Sequence, residues 1–182
     1  ADYVLSKTPG NTVSNLSSTR ALADVTHKHG QAHTASAVGE VNVVNAMKET
    51  NAVIGGEGNG GIIYPKLHYG RDSLVGVALF LSLYAEKKIK MTELRDSYPQ
   101  YSMIKSKVNL SPDLDVDKTL SEIQKKYAAE RLTTVDGVKI DFKEGWVHLR
   151  KSNTEPIVRV YAEGKSPAEA ETLAKKVMDE IV

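Results

Sequence analysis

The sequence contains no cysteine, and this absence excludes two classes of structure. Disulfide frameworks, which hold many small secreted domains together, cannot form. Zinc sites built from thiolates are excluded for the same reason. The absence is compatible with a reducing compartment, and we expect a cytoplasmic protein.

Long apolar runs and a strong charge of one sign are also missing. The most apolar stretch, from Leu74 to Ala85, is too short to cross a bilayer. Lysine and arginine number 24 and aspartate and glutamate 23, which leaves a formal net charge of +1. Aromatic residues make up 6% of the chain and do not interleave with a basic stripe. We therefore expect no membrane association and no nucleic-acid partner.

The order of predicted elements divides the chain into two domains. Short strands, predicted at residues 12–15, 31–38 and 51–54, alternate with helical segments up to about Pro99. This order is typical of an α/β layer with a mostly parallel sheet. The remainder predicts β-α-β-β-β-α, an α+β domain with helices on one face of an antiparallel sheet. We place the two domains at residues 1–98 and 99–182.

The chain begins at Ala1 without a methionine, and its first residues predict a helix that Pro9 and Gly10 end. We expect the sequence to be the C-terminal part of a longer protein.

The most informative motif is a polar run between two predicted strands. The run contains Ser152, Asn153 and Thr154, and Arg150 and Arg159 lie in the flanking strands. Arginine supplies charge and a fixed set of donors, and hydroxyls, amides and loop N–H groups supply short hydrogen bonds. The run predicts a phosphate-binding loop, with a plain hairpin loop as the alternative.

A second motif is the glycine-rich run from Gly55 to Gly61, which follows a predicted strand. Three of its glycines match G-x-G-x-x-G, but the residues after it do not start the helix that a dinucleotide site needs. Glu57 and Asn59 on a glycine frame suit neutral hydroxyls better, because a carboxylate accepts from vicinal hydroxyls and an amide both donates and accepts. The run predicts a sugar-binding loop, and a flexible surface loop is the alternative.

Three further side chains are candidates to face a cleft: Glu40, His68 and Arg71. Glu40 is more simply a first-turn acid of the next helix. His68 and Arg71 precede a helix that Asp72 could cap.

A histidine cluster offers a possible metal site, since His27, His29 and His33 lie close together in the sequence. His27 and His29 also fall at a predicted helix C-terminus, where cationic side chains are favoured. We predict no metal site in this chain.

Together, the two motifs resemble loops of the α-D-phosphohexomutases, the superfamily of phosphoglucomutase, phosphomannomutase and phosphoglucosamine mutase. The run from Arg150 to Arg159 is similar to the phosphate-binding loop of that family's last domain. The run from Gly56 to Gly60 falls where the third domain carries its sugar-recognition loop. The resemblance covers essentially the whole chain as the third domain followed by the fourth.

The resemblance implies a four-domain parent enzyme that interconverts hexose 1-phosphates and 6-phosphates. In that family a phosphoserine of the first domain donates its phosphate, a hexose 1,6-bisphosphate forms and reorients, and the second domain holds Mg²⁺. Neither the serine motif nor the acidic metal loop occurs in this sequence. The implied partners are therefore a small phosphosugar and the missing domains 1 and 2, and the chain alone is expected to be inactive.

The resemblance also implies roles for individual residues. The phosphate distal to the reacting serine would be held by Arg150, Ser152, Asn153, Thr154 and Arg159. Glu57 would accept hydrogen bonds from the sugar 3- and 4-hydroxyls, with Asn59 assisting. Glu40, His68 and Arg71 become further cleft candidates. Many members carry Ser where Asn59 stands, so the preferred hexose stays open, and a stand-alone phosphosugar-binding or regulatory module is the alternative function.

Overall fold

The structure is a computed structural model that describes residues 1–109, 115–152 and 155–181. Its internal contacts divide the chain into two units, Ala1–Gln100 and Tyr101–Val182. The elements of the first unit are α1 (Asp2–Lys7), β1 (Thr12–Asn15), α2 (Ala21–Lys28), β2 (His33–Ser36), α3 (Glu40–Glu49), β3 (Ile54–Gly56), β4 (Ile62–Ile63), α4 (Ser73–Lys87) and α5 (Met91–Asp96). Those of the second unit are β5 (Ser102–Asn109), α6 (Val116–Lys126), β6 (Arg131–Thr133), β7 (Val138–Asp141), β8 (Trp146–Lys151), β9 (Ile157–Gly164) and α7 (Pro167–Met178).

The sheet of the first unit has the strand order β2-β1-β3-β4. Strand β1 pairs in parallel with β2 and β3, and β4 runs antiparallel to β3. The predicted mostly parallel α/β layer is confirmed, and β4 is an addition that the sequence did not predict. The carboxyl ends of three parallel strands therefore meet at one edge of the sheet.

Helix α3 packs on this sheet through residues spaced one turn apart. Val43 and Met47 are fully buried and form a core cluster with Val13 of β1 and Ile63 of β4. Helix α4 begins where the carboxylate of Asp72 accepts a hydrogen bond from the Val75 N–H at 3.0 Å, as predicted. Within the described ranges, no helix combines the length and the apolar character that crossing a membrane requires.

The third predicted strand is misplaced by three residues. The structure begins β3 at Ile54, where the prediction ends it, because residues 51–53 form the exit from α3. Asn51 has a φ of 52°, and the Ala52 N–H donates to the Met47 carbonyl at 2.9 Å. A left-handed residue followed by such a bond is a helix ending and not a strand.

The second unit is an antiparallel sheet of order β5-β9-β8-β7-β6. Helices α6 and α7 pack on one of its faces, as predicted. The core residues on that face are Val108, Leu120, Ile123, Val138, Ile140, Val147, Leu149, Val158, Val160, Leu173 and Val177. The predicted α+β class is confirmed with one strand more than expected, the short β6.

The opposite face of this sheet carries polar side chains, several of them buried. Trp146 and Glu163 are register partners on β8 and β9, and the indole N–H donates to a Glu163 carboxylate oxygen at 2.8 Å. Their exposed fractions are 0% and 1%. The ammonium of Lys139 lies 4.3 Å from the centre of the Trp146 ring. These contacts form a second, polar core on the side of the sheet away from the helices.

Replacing Trp146 with phenylalanine tests this polar core. The change removes the five-membered ring of the indole and its N–H donor. The buried carboxylate of Glu163 therefore loses the hydrogen bond from Trp146. We expect the free energy of unfolding of the second unit to fall by about 2–4 kcal/mol. Urea denaturation followed through NMR signals of second-unit residues measures the change. Val135→Ala is the control, because Val135 is exposed and its loss should change stability by less than about 0.5 kcal/mol. A loss below about 1 kcal/mol for Trp146→Phe would contradict the expectation.

Candidate functional site

Glu57 lies directly after β3, at the edge where the parallel strands end. One of its carboxylate oxygens accepts from the Asn15 side-chain amide at 2.9 Å, and the other accepts from the Arg71 guanidinium at 3.3 Å. The Asn15 side chain is itself fixed, since its amide oxygen accepts a hydrogen bond from the Ser18 hydroxyl at 2.8 Å. Only 5% of the Glu57 side chain is exposed. The carboxylate is thus held in one orientation by two donors that are far apart in the sequence.

Arg71 joins Glu57 to Glu40, the residue that begins α3 after β2. The guanidinium Nε lies 3.0 Å from one oxygen of Glu40, and the backbone N–H of Arg71 donates to the other at 2.8 Å. The backbone N–H of Arg71 and then its guanidinium hold the pKa of the Glu40 carboxyl below its ordinary value. The structure therefore brings three of the predicted residues, Glu40, Glu57 and Arg71, into one network.

Asn59 belongs to a tight turn in the glycine-rich loop. Its side-chain oxygen accepts from the Gly61 N–H at 3.1 Å, and the Glu57 N–H donates to the Gly61 carbonyl at 2.9 Å. Gly60 has a φ of 93°, a left-handed conformation that favours glycine. Strand β4 follows this turn, so the helix of a dinucleotide site is not there. The loop presents Glu57 and Asn59 from neighbouring positions of one fixed turn.

His68 supports the start of α4. Its Nδ1 accepts from the Gly70 N–H at 3.0 Å, so Nε2 carries the proton and donates to Asp72 at 3.2 Å. Bonds from the Val75 N–H and then from His68 hold the pKa of Asp72 below its ordinary value. His68 thus contacts the helix cap and is not hydrogen-bonded to Glu57.

Two hollows flank the network. One has a volume of 480 Å³ and is lined by Glu40, Asn59, Gly60, Gly61, Arg71 and Ser73. The other, of 190 Å³, has Glu57 on its wall together with Ser14, Ser18 and the glycines that precede Asn59. The first hollow is predominantly polar, whereas apolar side chains, among them Leu22, Ile54 and Ile62, form much of the wall of the second.

The predicted phosphate loop lies in the second unit, between β8 and β9. Arg150 and Arg159 are direct cross-strand partners, and both point away from the helix-covered face, because their neighbours Leu149 and Val158 are in the core. Arg150 lies 3.5 Å from a carboxylate oxygen of Asp136, and Arg159 lies 3.4 Å from one of Glu155. The two arginines are therefore neighbours on one face of the sheet, and each guanidinium lies beside one acid.

Ser152 is buried at the base of the loop, where its N–H donates to the Ile157 carbonyl at 3.0 Å. Asn153 and Thr154 lie outside the described residues. The Nε atom of Arg159 is buried and has no hydrogen-bond partner among the residues that are described. A donor without a partner is unusual in a protein interior and indicates a place where a ligand or an undescribed neighbour completes the contacts.

His148 lies on the same face as the arginines and is 2% exposed. Its Nε2 is 2.7 Å from the Asp136 carbonyl, and since a carbonyl only accepts, Nε2 carries the proton. Burial lowers the pKa of the His148 imidazole. Asp136 therefore contacts both His148, through its backbone, and Arg150, through its side chain.

Sequence reasoning missed two residues of these networks. Asn15 is the last residue of β1, at the carboxyl end of a predicted parallel strand, which is a signal that could have identified it. Asp136 lies in a turn before β7, and nothing near it in the sequence indicates that it reaches Arg150.

The structure assigns other partners to two of the histidines that suggested a metal site. His29 is 2.7 Å from Asp2, and His33 is 2.8 Å from the Thr12 hydroxyl and 3.3 Å from that of Ser14. Among the described residues, no group of three or more His, Asp or Glu side chains is placed to hold a metal ion.

Two family models match nearly the entire chain. Residues 1–101 match the model described as phosphoglucomutase/phosphomannomutase, alpha/beta/alpha domain III. Residues 103–180 match the model of the phosphoglucomutase/phosphomannomutase C-terminal domain.

Curated relatives agree with these models. A phosphoglucosamine/phosphogalactosamine mutase from Sulfurisphaera tokodaii is 38% identical over 146 residues, which are 79% of this chain and 31% of the relative. A phosphoglucomutase/phosphomannomutase from Thermococcus kodakarensis is 36% identical over 173 residues, which are 93% of this chain and 38% of the relative. The chain thus spans about a third of the length of these relatives.

A solved structure shows the same fold. The crystal structure of a phosphoglucomutase/phosphomannomutase family protein from Burkholderia thailandensis aligns with a TM-score of 0.80 at 23% identity and covers 98% of this chain and 39% of its own. The chain belongs to the phosphoglucomutase/phosphomannomutase family and carries that family's domain III followed by its C-terminal domain.

Proposed function

We propose that this chain is the substrate-binding half of a phosphohexomutase that interconverts hexose 1-phosphate and hexose 6-phosphate. The observation that carries the proposal is the pair of cross-strand arginines, Arg150 and Arg159, in a chain that also fixes the Glu57 carboxylate at a strand end. The parent enzyme is an isomerase that works through a phosphoserine and a bisphosphate intermediate.

Glu57 and Asn59 bind the sugar in this proposal. A carboxylate offers about four acceptor positions, and Asn15 and Arg71 occupy two of them. The remaining positions suit two neighbouring hydroxyls of a hexose ring. Because the carboxylate is already oriented, the sugar would not have to order it on binding, which lowers the cost of recognition.

The arginine pair binds the phosphate that is not transferred. Like charges placed directly across two strands destabilise a sheet, and a dianion between them would relieve the repulsion. The guanidinium fork of each arginine matches phosphate oxygens in a bidentate way. Ser152 at the loop base, with Asn153 and Thr154, would supply the shorter hydrogen bonds.

The chemistry itself belongs to domains 1 and 2 of the parent protein. We propose that those domains supply the phosphoserine and the ligands of Mg²⁺, and that they are the partners of this chain in the cytoplasm. Phosphoryl transfer depends on positioning and charge stabilisation, so a grip on the distal phosphate contributes binding energy that aligns the reacting oxygen. The two curated relatives are named for different hexoses, and the proposal accordingly extends to hexose phosphates as a class.

Substitution of Arg159 in the parent enzyme tests the phosphate grip. Arg159→Ala removes one of the two guanidinium groups, and we expect kcat/KM to fall by about 10²–10³-fold. The matched control is Arg131→Ala, which removes an exposed arginine of the same sheet from β6, at the far edge. Steady-state kinetics with glucose 1-phosphate and mannose 1-phosphate measure both variants, and thermal denaturation checks that both fold. Normal turnover by a folded Arg159→Ala enzyme would exclude the proposed site.

The titration of Glu40 tests the network around Glu57. In the folded protein the pKa of Glu40 lies below its ordinary value of 4.5. The ionised Glu40 carboxylate therefore stabilises the fold above pH 4.5, and this stabilisation is lost as the pH falls through the pKa of the folded state. We expect Arg71→Gln to raise this pKa only part of the way to 4.5, because the backbone N–H of residue 71, the larger cause, remains. Carboxyl ¹³C NMR of the chain follows the titration. A Glu40 pKa at or above 4.5 in the wild type would contradict the network. So would a Glu40 pKa that returns fully to 4.5 in Arg71→Gln.

A further inference from the structure

Lys107 lies next to the arginine pair on the neighbouring strand. In the sheet order β5-β9-β8, Lys107 is the direct partner of Arg159, which in turn is the direct partner of Arg150. Neighbouring antiparallel partners have Cβ atoms about 5 Å apart. Three cationic side chains therefore form one row across three strands.

The strand alternation places Lys107 on the same face as the arginines. Val108, the next residue on β5, is in the core beneath the helices, as are Leu149 and Val158 next to the two arginines. Successive side chains of a strand point to opposite faces, so the row lies on the face away from the helices. Lys107 is exposed there, at the same end of the sheet as the loop between β8 and β9.

The charges in this row are not balanced. Among the described residues, Arg150 and Arg159 each have one acid, at 3.5 and 3.4 Å, and Lys107 forms no ion pair. The buried Nε of Arg159, at the centre of the row, has no hydrogen-bond partner within the same ranges. Three adjacent cations with two loosely held acids make an electrostatic environment that favours a bound anion.

We propose that Lys107 is a third cationic ligand of the phosphate site, on the side of Arg159 opposite to Arg150. This inference rests on the proposed function and adds a residue that lies outside the loop motif. An ammonium is a compact charge with three rotatable donors and requires no fixed orientation of the phosphate. Lys107 thus adds attraction to the dianion, and the two arginines fix its geometry.

The test compares two lysines of one strand. Lys107→Gln removes the charge next to Arg159, and Lys105→Gln removes the same charge one row away, where Lys105 lies over the Tyr161 ring at 5.3 Å. The 182-residue chain is titrated with inorganic phosphate at constant ionic strength and about pH 8, where the dianion dominates. Backbone amide NMR shifts give the Kd.

We expect Lys107→Gln to weaken phosphate binding about tenfold and Lys105→Gln less than about twofold, since a direct charged contact contributes far more than a screened distant charge. The free Lys107→Gln protein should be at least as stable to heat as the wild type, because a like-charge pair is removed.

Equal weakening by the two substitutions, or no weakening by Lys107→Gln, overturns the assignment of Lys107. A third variant, Arg159→Gln, distinguishes failure of the Lys107 assignment from failure of the proposed function. If Arg159→Gln abolishes binding while Lys107→Gln does not change it, the site stands without Lys107. If the wild-type chain shows no phosphate-dependent shift, or Arg159→Gln binds normally, both the site and the inference are overturned.

Discussion

In-register strand pairing is the constraint on which both candidate sites depend. Because β1, β2 and β3 are parallel, their carboxyl ends meet at one edge, where Arg71 joins Glu40 to Glu57 and Asn15 donates to Glu57. Antiparallel pairing in the second unit aligns side chains across strands instead of at strand ends. A one-residue shift there would turn every side chain of a strand to the other face and would replace polar residues with core residues.

The sequence indicates the fold class well because the periodic patterns are strong and local. Helix α4 begins at the predicted cap, Asp72, whose carboxylate accepts from the Val75 N–H. The failures have physical causes as well. Strand β4 has two residues and β6 has three, too few for an alternating pattern, and the position of β3 depends on a left-handed residue that ends α3.

The residues of the candidate sites also fall into two groups, those that the sequence indicates and those that it does not. Glycines, a carboxylate and paired arginines within short motifs could be identified in the sequence, because the chemistry they share is carried by neighbours in the chain. Asp136 and Lys107 could not, since each reaches its partner through strand pairing or a turn more than ten residues away in the sequence. Local motifs therefore specify the central binding side chains. Tertiary contacts specify the residues that orient these side chains and balance their charge.

The contact between Glu40 and residue 71 makes the two positions unequal in their tolerance of evolutionary change. One oxygen of Glu40 binds the backbone N–H at position 71, which any residue except proline provides. A lineage that replaced Arg71 would keep that bond and with it the path of the loop before α4. A lineage that replaced Glu40 would lose both bonds in one step. Divergence in this part of the family should therefore proceed through position 71 before position 40.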